Sequence, residues 1–232
     1  MGLDWIPANK PKPGHEAEFA TLARRLDEGD FTEARPHLNR LLGRLFNPSE
    51  ARASSWGRLL DRYEAISIAP FDTLDAPRVG QNDEATEYAR KAYAQSDSEL
   101  SEEEWLESKR GLPVPALIEG SDGLPSYTHG GLPGDRMPVY SFRAKFLEQC
   151  EDIIGFDLAT DCWVSKDADG TLGFGKALLR KAEDYARARG IELEDLDTED
   201  WDSDEFRLDI VVSAGRWCIF WAERGHGLDV DY

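Results

Sequence analysis

The chain has 232 residues, 41% of them hydrophobic and 31% charged, with a formal net charge of −19. Seven Trp, seven Tyr and ten Phe argue against disorder, because that much aromatic surface can form a core. The acidity argues against general nucleic-acid or anionic-membrane binding, since phosphates need a positive surface. It is also uneven: Glu192 to Glu205 holds nine acids and no base, whereas Arg35 to Arg62 holds six arginines against Glu50 and Asp61. Three cysteines, Cys150, Cys162 and Cys218, lie far apart with no C-x-x-C spacing. That pattern suggests buried free thiols in a reducing, cytoplasmic setting. No h-region or apolar run near the ~20 residues of a membrane span is present.

In chain order, three prolines force the opening MGLDWIPANKPKPGHE to be extended, and Leu3, Trp5 and Ile6 predict that it lies across the fold. A helix is expected from Glu16, with Phe19, Leu22, Ala23 and Leu26 on one face, His15 as its cap and Gly29 as its stop. Asp30 and Glu33 suggest the start of a second helix, reaching Leu45. A third carries Trp56, Leu59, Leu60, Tyr63 and Ile66. Asn82 should cap a helix from Asp83 to about Ala94, and Ser101 with Glu104 forms a capping box for a short one. Phe142, Phe146, Leu147, Cys150 and Ile153 predict an amphipathic helix.

Between them, Gly111 to Pro138 carries six glycines, five prolines and three copies of Gly-Leu-Pro. Neither helix nor strand tolerates that punctuation, and a connection this long is usually functional or disordered. The apolar residues spaced through it predict an ordered loop. Further on, Asp161 to Phe174 reads as a hairpin turning at Asp169-Gly170, and Gly175 to Arg189 as a helix stopped by Gly190. Phe206 to Glu223 reads as two strands joined at Ala214-Gly215, with Trp217 and Trp221 in the core. The expected class is therefore α+β: N-terminal helices packed with a C-terminal antiparallel sheet of hairpins, joined by the Gly/Pro-rich loop. It is expected as one compact domain, with a helical half 1–110, the loop 111–138 and an α+β half 139–232.

Two motif matches fail on chemistry. Gly170 to Ala177 fits G-x-x-x-x-G-K, but Ala177 stands where a phosphate-cradling loop needs the Ser or Thr that binds magnesium. Ser165, Asp167, Asp169 and Gly170 imitate the start of a calcium loop, but Lys176 stands where a bidentate Glu belongs. No cofactor or metal is implied. Of the four histidines, His37 is expected to be exposed and His226 lies in a flexible Gly-His-Gly context.

His129 differs, because it precedes Gly130-Gly131, where backbone can approach a ligand closely. An acid/base role for His129, with Asp135 and Arg136 as orienting groups and Tyr127 beside them, is one reading. A turn histidine bonding its own loop is the other. Trp201, flanked by Asp200 and Asp202 in the acidic run, is a candidate anchor for a partner.

MGLDW with KPGHE, then APRVG and Thr128-His129-Gly130-Gly131, together resemble conserved hypothetical proteins of bacteria. That resemblance implies a bacterial cytoplasmic protein and assigns no catalytic residue. Two functions of different class follow from the residues. One is an acidic binding protein, of inhibitor or immunity type, that docks a basic protein partner. The other is a hydrolase- or transferase-class enzyme with a small-molecule pocket at 111–138.

Overall fold

The computed structural model describes residues 3–29, 48–74, 77–117, 128–129, 136–137, 141–193, 196, 200 and 202–231. In chain order these form β1 (Asp4–Pro7), β2 (Lys10–Pro11), α1 (Glu16–Asp27), α2 (Pro48–Ala65) and β3 (Ser67–Ile68). After a 3-10 turn at Pro70–Thr73 come α3 (Asp83–Ala94), α4 (Glu102–Ser108), a 3-10 turn at Val114–Leu117, β4 (Thr128–His129) and β5 (Arg136–Met137). A 3-10 stretch, Ala144–Cys150, leads into α5 (Glu151–Ile154), α6 (Phe156–Asp161), α7 (Ala168–Arg189), α8 (Asp204–Ala222) and β6 (Leu228–Asp231). The strands are few and antiparallel, so the fold is α+β with helix dominant. The chain divides into two compact units, Asn9–Ala69 and Met1–Ala8 with Pro70–Tyr232.

In the unit Asn9–Ala69, α1 begins at Glu16 as its apolar spacing predicts, and Leu22 packs with Leu59 and Ile66. Phe19 stacks on Tyr63 at 4.9 Å. The Arg62 guanidinium donates to both oxygens of Glu18, each at 2.7 Å. His15 precedes α1 but its side chain does not cap it; the ring nitrogen lies 3.4 Å from the Glu18 carboxylate instead. The helix expected from Asp30 to Leu45 lies outside the described residues.

The larger unit is built on α7 and α8. Asp167 caps α7, its carboxylate accepting from the Gly170 N–H at 2.8 Å, and Gly190, at φ 70°, ends it. Ser203 caps α8 in the same way, accepting from Phe206. Asn82 accepts from Ala85 N–H at the start of α3, and Ser101 and Glu104 make the reciprocal capping box of α4.

Both expected hairpins of the C-terminal third are corrected. Residues 168–174 are the first turns of α7, and Phe206 to Ala222 lies within one unbroken helix. The amphipathic helix expected over Phe142–Ile153 is likewise a 3-10 stretch followed by the single turn of α5.

The reason lies in burial. In α8, Leu208, Ile210, Val211, Val212, Ala214, Trp217, Cys218 and Trp221 are all buried. A helix apolar nearly all round loses the 3.6-residue stripe and cannot be told from buried strands by periodicity. Of the glycines read as turns, Gly215 serves close packing and Gly170 gives its N–H to the Asp167 cap. Asp169-Gly170 sits inside α7, and Gly215 sits where α7 and α8 meet.

Among the described residues the strands form three two-stranded sheets, β1–β6, β2–β3 and β4–β5. β1 pairs antiparallel with β6 in the register Trp5↔Val230 and Pro7↔Leu228. On its other side Trp5 exchanges both backbone hydrogen bonds with Phe142, at 2.8 and 2.9 Å, and Leu228 does the same with Lys166, both at 2.8 Å. Gly227 is required beside that bridge, because a Cβ there would lie 2.2 Å from the Lys166 carbonyl oxygen. Trp5, fully buried, sits at the centre of the core: Phe142 stacks on it at 5.2 Å, Phe174 meets it edge-on at 5.7 Å and Trp217 lies at 6.0 Å.

His226, expected in a flexible tail, is buried. Its Nδ1 lies 2.8 Å from the Ala8 carbonyl, an acceptor only, so Nδ1 donates there. Nε2 lies 2.9 Å from the Thr73 hydroxyl, which is also within 2.6 Å of the Pro70 carbonyl. His226 thus holds the two points, Ala8 and Pro70, at which the chain leaves this unit and re-enters it.

Candidate functional site

Trp5 organises more than the core. Its indole N–H donates to the Cys162 carbonyl at 2.8 Å, tying the end of α6 to β1. Between α5 and α6, Gly155 takes φ 86° and ψ 157°, a conformation only glycine adopts readily. That break turns the chain so that Phe156 opens a new helix with its ring outside the core, 70% exposed. At the other end of α6, the Lys166 ammonium donates to the Asp161 and Val164 carbonyls and lies 4.6 Å from the Phe174 ring centroid. Burial lowers the Lys166 pKa, and its bonds satisfy carbonyls that the helix end leaves open. The turn it fixes carries Trp163 and Val164, 42% and 51% exposed.

These segments enclose a cavity of about 270 Å³. Leu3, Ala144, Ala159 and Cys162 line it together with Phe156, Trp163 and Thr160, and among the described residues Glu148 and Glu151 supply its charges. The Cys162 thiol donates to the Leu158 carbonyl, and burial pushes its pKa up to about 12. It therefore contributes apolar surface and no nucleophile.

Three other acids of this unit are paired. Asp4 meets Arg143 at 3.2 Å, Asp152 meets Arg207 at 2.8 Å, and Asp204 meets Arg189 at 3.1 Å. Glu148 and Glu151, both exposed, form no ion pair with any described residue. A small, largely apolar hollow with aromatic walls and two carboxylates unpaired among the described residues is chemically matched to a cation on an apolar stem.

His129 and Arg136 are Cα partners in the short β4–β5 ladder. Tyr127, Asp135 and Trp201 lie outside the described residues, as does most of the Gly/Pro loop. Asp200 accepts from the Asp202 N–H at 3.2 Å, and its carbonyl accepts from the Ser203 hydroxyl at 2.7 Å, so it shapes the approach to α8.

The phosphate-loop match lies inside α7, where its backbone N–H groups are committed to the helix. Ser165 and Asp167 of the calcium-loop match are engaged by Val230 N–H and Gly170 N–H. Among the described residues no three His, Cys, Asp or Glu side chains gather as metal ligands, and no helix is long and apolar enough to cross a membrane.

The cavity left little trace in the sequence, because its lining comes from three separate stretches. The available signal was Phe156, Trp163 and Val164, apolar residues next to helix breaks. No protein-family model, curated protein or solved structure matches this chain.

Proposed function

We propose that this is a soluble, cytoplasmic binding protein of inhibitor or immunity type, whose acidic surface docks a basic protein partner. The observation that carries this reading is the pair Glu148 and Glu151, which line a largely apolar cavity beside exposed Phe156 and Trp163 and form no ion pair with any described residue. The net charge of −19 supplies long-range steering toward such a partner. The size of the cavity agrees with this. Pockets for drug-sized ligands run from about 300 Å³ upward, so about 270 Å³ suits a single inserted side chain better than a nucleotide or coenzyme. The acidic run with Asp200, Trp201 and Asp202 is a second contact region for the same partner. Binding to arginine- and lysine-rich peptides, measured by calorimetry across a salt series, tests the reading. Affinity should fall steeply with salt and be absent for acidic peptides. Salt-indifferent binding would defeat it.

A second reading keeps one supporting observation. His129 and Arg136, grouped in sequence as acid/base and orienting residue, are register partners across β4 and β5. An enzyme built there should gain thermal stability from a metabolite or nucleotide in a ligand screen, and His129→Ala should lose that gain.

A further inference from the structure

Resting on the basic-partner reading, we propose that the cavity between the 3-10 stretch Ala144–Cys150 and α6 is an arginine-specific anchor site, taking one arginine side chain from a partner. Charge alone would accept lysine equally, so the choice turns on the walls. Guanidinium is planar, weakly hydrated, stacks on aromatic faces and can bridge carboxylates through its fork of donors. Ammonium is a compact, strongly hydrated ion that gives up more solvation on entering an apolar hollow. Phe156 and Trp163 are the aromatic walls, and Glu148 and Glu151 are the acceptors. Leu3, Ala144 and Ala159 provide an apolar floor for the aliphatic stem.

Two features mark the hollow as more than an exposed acidic patch. Its apolar lining is held in place by the buried Trp5 indole bonded to the Cys162 carbonyl and by Lys166 bonded across the end of α6. Its carboxylates also lack, among the described residues, the arginine partners that Asp4, Asp152 and Asp204 hold in Arg143, Arg207 and Arg189. An incoming arginine would give Glu148 and Glu151 the kind of partner those acids have within the chain. It would also cover Phe156, the most exposed large apolar side chain among the described residues.

The test uses tetra-arginine, tetra-lysine and tetra-citrulline peptides on the full chain, read by calorimetry at low salt. Tetra-arginine should bind about fivefold tighter than tetra-lysine, and tetra-citrulline should not bind. Glu148→Gln with Glu151→Gln should weaken tetra-arginine about tenfold, while Glu84→Gln with Glu183→Gln, which removes two exposed charges elsewhere, should cost less than about twofold. Phe156→Ala, at a side chain too exposed to support the core, should erase the preference for arginine. Equal affinity for the two basic peptides, with equal losses in both double variants, would overturn the anchor site and leave the general basic-partner reading standing. No binding of either peptide would overturn both.

Discussion

Gly175 and Gly215 meet where α7 and α8 pack. A Cβ on Gly175 would lie 2.8 Å from the Gly215 carbonyl oxygen and 2.7 Å from Cys218 Cβ, and a Cβ on Gly215 would lie 2.8 Å from the Leu179 side chain. Two backbones this close form the axis of the larger unit, and neither tolerates a methyl without moving. Gly173, two residues away on the same helix, faces open space. The two positions thus make opposite predictions from one chemical change. Gly175→Ala should destabilise by about 1–3 kcal/mol through overpacking. Gly173→Ala should stabilise by about 0.5–1 kcal/mol, because alanine loses less backbone entropy in a helix. Urea midpoints at constant slope would measure both. Equal midpoints for the two variants would show that the helices do not approach as described.

Arg207 ties three elements together. It donates to Asp152 at 2.8 Å, to the Tyr185 hydroxyl at 3.0 Å and to Asp204. The Arg189 guanidinium lies over the Tyr185 ring, 3.5 Å from its centroid. The hydrogen bond from Arg207 is the main cause holding the Asp204 carboxyl below the usual carboxylate range. A carboxyl depressed in the folded state binds fewer protons there than in the unfolded chain. Its stabilisation is therefore complete above the unfolded value of about 3.9 and is lost as pH falls through the folded value. Arg207→Met should cost about 1–2 kcal/mol at neutral pH, with Asp204 a third exposed and screened by solvent. The gap from wild type should narrow below about pH 4. A gap constant from pH 7 to pH 3 would mean the loss is packing alone.

What was legible in the sequence was what touches both water and core. Asn82, Ser101 and Glu104 sit at helix starts where a side-chain acceptor meets an open N–H, and each was assigned from type and spacing. α1 and α3 show a polar face against an apolar one. α8 does not: Leu208, Ile210, Val211, Val212 and Ser213, which point all round the helix axis, are buried, so no stripe distinguishes helix from strand. Gly215 carried the opposite of its sequence meaning, because glycine serves a turn and a close helix contact equally well, and Gly170 lies in the first turn of α7. The pairing of β1 with β6 joins residues more than 220 apart, and no local pattern encodes that. The candidate site was hidden for the same reason: Leu3, Glu148 and Trp163 share a hollow only after Trp5 has bonded to Cys162.

The three cysteines extend that argument to reactivity. All are buried and free, and burial pushes Cys150 and Cys162 each up to about 12 and raises Cys218 as well. At pH 8 a thiol with that value is ionised in about one molecule in ten thousand, and the thiolate is the attacking species. An aromatic disulfide reagent should therefore find no fast thiol in the native chain and three in denaturant, with native rates limited by opening of the fold. Cys162 is the informative one, since it lines the cavity floor yet donates its proton to Leu158. If Cys162 alone reacted rapidly, the floor would be open to solvent and its thiol activated. The hollow would then be a site for covalent chemistry instead of one that holds a cation by shape and charge.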